Sequence, residues 1–340
     1  MSIKKINFSP DFSVLSEWGH NKTPFFALVD FDGNLLAEPL KTSDFTRNSG
    51  ILQGRIALGA HALHFKFHCA PQQVAAIQHR NAAKPPMVIE REPERPDVLQ
   101  SIKALQGELG DGFSYLVNYC SQTEIRLVEP QTSLFADSVA PFTVLFEDQF
   151  MSFSPESFVC IVNNEIITTP MKGTGYDAAA LLADAKEQAE HATIVDLLRN
   201  DLGRVATGIQ LGRYRYLTGI PQSDGRTLYQ TSTEIRGQMG DDWPSRIGEW
   251  LPLLLPAGSV TGAPKKKTVE LIRKYETEPR GFFTGIAALF DGENFMSCVL
   301  IRYIDLAASP YKFRSGAGIT IYSDPEAEYR EILSKVYLPV

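Results

Sequence analysis

Cysteine is scarce and scattered. The 340 residues hold four, Cys69, Cys120, Cys160 and Cys298, with no Cys-x-x-Cys pair, a pattern that suits reduced thiols in a cytosol better than a disulfide framework. Long apolar runs are missing as well. The longest, around Trp250–Ala257, is too short and too rich in proline to span a bilayer. The opening MSIKKINFSPDFSVL has two lysines but neither an apolar run nor a small-residue cleavage site, so no secretory signal is expected. Basic residues are outnumbered, 33 Lys+Arg against 40 Asp+Glu, and the resulting −7 argues against the basic face of a nucleic-acid binder. No internal repeat or low-complexity tract is visible. The expectation is a cytoplasmic protein with neither a membrane nor a nucleic acid as partner.

What remains is ordinary globular composition, 44% hydrophobic and 21% charged. The length allows about two domains or one large one at ~150 residues each. Such a chain buries roughly 75% of its unfolded surface and needs no staples.

Residues 1–80 read as mostly strand, with Asp32-Gly33 in FFALVDFDGNLLAE as a hairpin turn. The proline- and charge-rich Asn81–Pro96 reads as a connecting segment. A helix follows, with Val98, Ile102 and Leu105 on one face and Gly110 as its stop. Strands are expected around Tyr115–Tyr119 and Ser157–Val162, the latter turning at Asn163-Asn164 into Glu165–Thr169. A long helix is expected from about Asp177 to Asp201, its stripe made by Leu181, Leu182, Ala185, Ala189, Ile194 and Leu197/Leu198. The strands IQLGRYRYL and RTLYQTSTEIRG come next. A helix then begins after LPAGSVTGAPKKK, with Pro264 at its first position. FFTGIAAL and NFMSCVLIRYI form a hairpin about Asp291-Gly292. KFRSGAGITIYS is the last strand, and Ser323/Asp324 cap a C-terminal helix from Pro325. Hairpins with few long helices predict an α+β fold, antiparallel sheets with helices packed outside.

Two carboxylate pairs stand out, Glu187 with Glu190 and Glu328 with Glu331. Residues three apart share a helix face, so each pair presents two carboxylates to one point, and two such faces together would suit Mg²⁺. Solvated helix faces are the competing reading. LPAGSVTGAPKKK fails the P-loop spacing; its amides could hold an anion, or it is a plain tight turn. HALHFKFHC gathers His61, His64, His68 and Cys69. Strand alternation puts His64 and His68 on one side with Lys66 between them, a poor cage for zinc. Lys172, between Pro170 and Gly173 after a strand, could have a lowered pKa and act as a nucleophile, or be a surface lysine. Glu156 in SFSPESF could be a general acid with a raised pKa, or merely a helix-start glutamate.

Six segments in order resemble the chorismate-utilising enzymes: SPESF (Ser154–Phe158), PMKGT (Pro170–Thr174), EHATIVDLLRNDLGRV (Glu190–Val205), PAGSVTGAPK (Pro256–Lys265), Ile301-Arg302 and SGAGITIYSDPEAEYREILSK (Ser315–Lys335). That family contains component I of anthranilate synthase and of aminodeoxychorismate synthase, and the isochorismate and salicylate synthases. The likeness covers about residues 110–336. Within it, lysine at position 172 resembles the aminodeoxychorismate synthases, where the others usually have alanine. Nitrogen can reach C4 of chorismate if a first nucleophile adds at C2, expels the C4 hydroxyl and is then displaced by ammonia. Leu116 stands where isochorismate synthases have a water-activating lysine and aminating members a glutamine. Thr169, Gly175-Tyr176 and Tyr229 also depart from the usual family residues.

The resemblance implies a role for each matching residue. Glu156 is the general acid and Lys172 the nucleophile. Glu190 and Glu331 bind Mg²⁺ directly, Glu187 and Glu328 through its waters. Lys335 assists at the ring carboxylate, Arg302 holds the pyruvyl carboxylate, and Gly173, Thr174, Gly316 and Gly318 line the pocket. It further implies two antiparallel-sheet subdomains packed as a sandwich with helices outside, as in anthranilate synthase component I. A shortened strand-rich part (1–96) and a chorismate-binding catalytic domain (97–340) would form one folded unit. The expected activity is amination of chorismate to 4-amino-4-deoxychorismate with Mg²⁺, for 4-aminobenzoate and folate. No glutaminase triad is visible, so ammonia is expected from a separate glutamine amidotransferase subunit, and the lyase step from another protein. The alternatives are anthranilate synthase component I and a non-catalytic chorismate-binding homologue.

Overall fold

The computed structural model describes residues 9–58, 61–69, 85–221 and 226–340. The described chain opens with a helix, α1 (Ser13–His20), where strand was expected. Leu15 and Gly19, four apart, seat one helical face, and Gly19 lies against the Pro244 carbonyl too closely for any side chain. The rest of this region is strand as expected: β1 (Phe25–Val29) and β2 (Leu35–Pro39) form the hairpin about Asp32-Gly33, and β3 (Phe45–Asn48), β4 (Ile51–Leu58) and β5 (His61–His68) a meander. Residues 1–8, 59–60 and 70–84 of the N-terminal reading lie outside the described residues. The expected connecting segment contains a strand, β6 (Met87–Arg91), which among the described residues pairs only with β7 (Leu116–Leu127). An edge strand leaves its charged side chains in water, so composition alone mistook it for a linker.

Between them, α2 (Arg95–Gly110) buries Val98, Ile102, Leu105 and Leu109, as the periodicity predicts. Beyond β7 come α3 (Gln131–Asp137), β8 (Phe142–Phe146), β9 (Phe150–Ser154), β10 (Ser157–Val162), β11 (Glu165–Thr168) and β12 (Met171–Gly175). The expected long helix is two, α4 (Ala178–Ala183) and α5 (Ala185–Leu202). Asp184 divides them: its backbone is extended and its side chain accepts from the Glu187 N–H, so it starts a new helix instead of continuing the old one. Each of the next two expected strands is also two, β13 (Thr207–Leu211) with β14 (Tyr216–Pro221), and β15 (Thr227–Ser232) with β16 (Ile235–Gln238). Then follow α6 (Ile247–Leu254), β17 (Gly262–Ala263), α7 (Lys265–Tyr275), β18 (Ile286–Phe290), β19 (Phe295–Val299), β20 (Tyr303–Asp305), β21 (Tyr311–Ile319) and α8 (Pro325–Ser334). Pro264 is the residue that caps α7, one place before its first turn, and Asp324 caps α8 through the Glu326 N–H.

The architecture is α+β. An eight-stranded sheet runs β13-β16-β11-β10-β19-β18-β1-β2, and a larger one runs β17-β7-β21-β20-β9-β8-β5-β4-β3 with β6 beside β7; the pairings are antiparallel. A third small sheet, β12-β15-β14, was not foreseen. The two large sheets face each other across a core that includes Phe26, Leu28, Phe65, Phe67, Leu289 and Met296. Helices α1, α5 and α6 cover the other face of the eight-stranded sheet, and α2, α7 and α8 cover part of the larger one. Strand β1 is buried on both faces: Phe26 and Leu28 point into the sandwich, Phe25, Ala27 and Val29 towards the helices. A continuous apolar run is the expected signature of such a strand.

Candidate active site

The chain passes from the larger sheet to the eight-stranded one between β9 and β10, and returns between β19 and β20. Glu156 sits at the first crossing and Arg302 at the second. The crossings are laced together, Val299 N–H donating to the Glu156 carbonyl at 3.1 Å and Phe153 N–H to the Arg302 carbonyl at 3.2 Å. Two residues 146 apart in sequence thus meet at the seam of the sandwich.

Burial pushes the pKa of Glu156 up, only partly offset by a hydrogen bond from the Ser259 hydroxyl and by the charges of Arg302 and Lys335. A carboxyl in this state holds its proton closer to neutral pH, which is the requirement for a general acid. Arg302 has a φ of +50°, a left-handed backbone that is uncommon outside glycine. Its guanidinium lies 4.8 Å from the Tyr337 ring centroid, and its Nε is buried without a partner.

Lys172 lies on β12, in the small sheet. Its Nζ is 2.9 Å from Glu190 Oε2 and 3.4 Å from where a side chain on Gly318 would begin. Burial, the largest influence, opposes the charge on Lys172, yet Glu190, Glu331 and Glu187 together outweigh it and raise its pKa. The reading of a lowered lysine pKa is therefore corrected: three carboxylates act on one ammonium. Leu116 also borders Gly318, an apolar wall beside the amine.

Helices α5 and α8 bring their glutamates to this lysine from two sides. Glu190 pairs with Lys172, and at 3.6 Å with Lys186; Glu331 pairs with Lys335 at 2.7 Å. Glu187 Oε2 is buried with no hydrogen-bond partner. Burial, reinforced by Glu190, pushes the Glu187 pKa up, and burial does the same for Glu328. The nearby lysines, Lys335 first, overcome burial at Glu331 and hold its pKa down. Among the described residues, no three acidic, histidine or cysteine side chains stand close enough together to hold a metal ion as they are.

Gly173 follows Lys172 with φ +86°, and a side chain there would begin 2.7 Å from Glu187 Oε2. Glycine is needed at this point for both conformation and space. Thr174 is exposed and pairs with Gln230. Gly318 faces Lys172, whereas Gly316 is packed against Cys120 and the Tyr119 carbonyl of β7. Lys335 Nζ donates to the Gly316 carbonyl at 2.7 Å as well as to Glu331.

LPAGSVTGAPKKK closes as a turn on itself and on β7. Val260 and Thr261 N–H groups bond Ala257 and Gly258 carbonyls, and Gly262-Ala263 pair with β7. Gly262 has φ +133° and approaches the Leu116 carbonyl where no side chain could stand. The tight turn is present as expected. The loop's contribution to the site is Ser259, which donates to Glu156. His64 is used in a pair with Glu147 at 2.7 Å. Ser259, bonded to Glu156, and His191, bonded to Thr233, were not singled out from the sequence although both lie inside its motifs.

The sequence pattern of the chorismate binding enzyme family matches residues 53–339, and the chain belongs to that family. A protein of Haemophilus influenzae called "Uncharacterized PabA-like protein" is 41% identical over 335 residues, covering 96% of this chain and 95% of its own length. A protein of Pasteurella multocida with the same description is 40% identical, with coverage of 96% and 97%. "Probable aminodeoxychorismate synthase, chloroplastic" of Oryza sativa subsp. japonica is 29% identical over 73% of this chain and 30% of its own. The fold matches anthranilate synthase component I from Streptococcus pneumoniae (TM-score 0.66, 17% identity, 92% of this chain and 89% of that one). It also matches MenF, the menaquinone-specific isochorismate synthase from Escherichia coli (TM-score 0.67, 18%, 97% and 82%). No helix among the described residues is long and apolar enough to cross a membrane.

Proposed function

We propose that the protein is component I of an aminodeoxychorismate synthase, converting chorismate and ammonia to 4-amino-4-deoxychorismate and water, on the route to 4-aminobenzoate and folate. The observation that carries the reading is the Lys172 amine, enclosed over Gly318 among the carboxylates of α5 and α8. Alanine at this position would leave no side chain to add at C2, only ammonia or water.

The resting Lys172 nitrogen is an ammonium, so it first sheds a proton to solvent and takes one back from solvent at the end of the cycle. The amine then adds at C2, the ring double bond shifts, and the C4–O bond breaks as Glu156 gives its proton to the departing oxygen, which leaves as water. Ammonia adds at C4, the double bond shifts back, and the C2–N bond breaks with its electron pair returning to Lys172. The proton shed by the ammonia nitrogen restores Glu156. Arg302, with its buried free Nε, suits the pyruvyl carboxylate, and Lys335 the ring carboxylate.

The donor set fits Mg²⁺: four glutamates offer hard oxygens, Glu187 Oε2 is buried without a partner, and burial holds the pKa of Glu187 and Glu328 up, a cost that a cation between them would relieve. Glu190 and Glu331 would hold the ion directly, Glu187 and Glu328 through water. Bound there, the metal would neutralise the glutamates and anchor the substrate's ring carboxylate.

Ammonia is assigned to a separate glutamine amidotransferase subunit, a reading encouraged by the PabA-like description of the two relatives. The test is incubation with chorismate, Mg²⁺ and ammonium, with the product identified by mass and chromatography. 4-Amino-4-deoxychorismate is expected. Fluorescent anthranilate as sole product would end the reading.

A further inference from the structure

Helix α5 carries, directly after Glu190, a histidine with no part in the chemistry above. His191 is fully buried, and its Nε2 lies 2.6 Å from Thr233 Oγ1. That hydroxyl also accepts the Arg215 N–H at 3.0 Å, and the Thr233 N–H is bound to the Pro170 carbonyl at 3.1 Å. With one lone pair taken by Arg215, the hydroxyl hydrogen is free to go to His191 Nε2. The ring is then neutral and carries its proton on Nδ1. Nδ1 is buried without a close partner, and the backbone group acting on the ring is that of Lys172.

The lysine needs outside support at this point. The β12–β15 register shifts between Met171 and Thr174, so Lys172 and Gly173 sit in an irregularity of the ladder, and Gly173 has a positive φ. The Lys172 carbonyl is held instead by the Thr231 hydroxyl.

We propose that His191 is a positioning residue for Lys172: its ring fixes Thr233, whose N–H holds the Pro170 carbonyl at the head of β12, and with the Thr231 hydroxyl on the Lys172 carbonyl this sets the strand where the lysine amine stands over Gly318. The proposal rests on the reading of Lys172 as the nucleophile.

Its test uses His191→Leu, His191→Asn and Thr233→Val in the full chain, with two readouts. The first is steady-state amination. His191→Leu is expected to lower kcat by roughly 10²-fold with KM for chorismate changed by no more than about twofold, because a small misplacement of a reacting group weighs on the chemical step and not on binding. His191→Asn, which keeps a side-chain amide able to bond the Thr233 hydroxyl, is expected to recover part of that loss. The second readout needs no substrate: labelling of Lys172 by acetic anhydride, measured by mass spectrometry against the surface lysines. The label rate at Lys172 changes in His191→Leu and in Thr233→Val and returns towards wild type in His191→Asn. Unchanged labelling and kcat in both His191→Leu and Thr233→Val would overturn the proposal, as would equal losses in the leucine and asparagine variants. If His191→Leu does not fold, Thr233→Val decides by itself. An anthranilate product would remove the proposed function while the labelling still reports on His191.

Discussion

Helix α5 meets a lysine near each end. Towards its N-terminus Glu190 holds Lys172 at 2.9 Å; at its C-terminus Asp201 holds Lys265 at 2.8 Å. The distances are nearly equal, yet the pKa shifts run in opposite directions. Burial pushes Lys265 down, with Asp201 and its hydrogen bond too little to compensate, and burial pushes Asp201 up. At Lys172 the same burial is outweighed by three carboxylates. One carboxylate does not offset the burial of Lys265; at Lys172 the carboxylates of α5 and α8 act together, with Lys186 and Lys335 paired among them. Lys265 also donates to the Leu254 carbonyl at 3.0 Å, so its hydrogens tie α5, α6 and α7 together. One end of the helix is a clamp; the other gathers several carboxylates and lysines from α5, α8 and β12.

Four changes would test this contrast. Lys172→Ala is expected to have the largest effect, abolishing amination at C4 by more than the ~10²–10⁴-fold of a lost proton-transfer group, since the covalent step itself is gone. Chorismate affinity should persist, as measured by equilibrium binding; wild-type turnover would refute the covalent route. Glu156→Gln comes next, with kcat reduced roughly 10²–10⁴-fold. Lys265→Ala acts on stability: an unpaired Asp201 at a mostly buried site costs about 3–5 kcal/mol in denaturant unfolding. Lys265→Met with Asp201→Leu should regain most of it, and a double variant no more stable than Lys265→Ala would mean the pair is more than a clamp.

The smallest effect is on pH dependence. Glu156 acts while protonated, so activity falls as pH rises through its raised pKa, giving kcat/KM an alkaline limb. The Ser259 hydroxyl favours the ionised carboxylate, and its removal in Ser259→Ala raises the pKa further. The alkaline limb should therefore move to higher pH in a kcat/KM profile; a downward move would mean that the hydroxyl stabilises the neutral acid.

Much of the site was legible because it is local. The Glu187/Glu190 and Glu328/Glu331 spacings, the Asp324 cap and the turns at Asp32-Gly33, Asn163-Asn164 and Asp291-Gly292 each depend on neighbours a few residues away. The break at Asp184 was legible in principle, since Asp184 and Glu187 have the spacing of an N-cap and its third helical residue. Strand β6 was not, because an exposed edge strand and a linker share a composition. Neither was Ser259, which matters only through an acid 103 positions away.

Helix faces, caps and hairpin turns are encoded in short stretches, since they depend on a 3.6- or two-residue period and on side chains bonding their own backbone. The amino-acid order alone therefore carried the α+β character and the placing of the two glutamate pairs on two helices. Which strand lies beside which could not be read this way: Phe25–Val29 falls between β2 and β18, residues 286–290, and every apolar strand presents the same alternation to a partner. The meeting of Glu156 with Arg302, and of one lysine with three carboxylates, follows from that long-range pairing. Electrostatic shifts depend on distance in space and exclusion of water, and the folded chain supplies both.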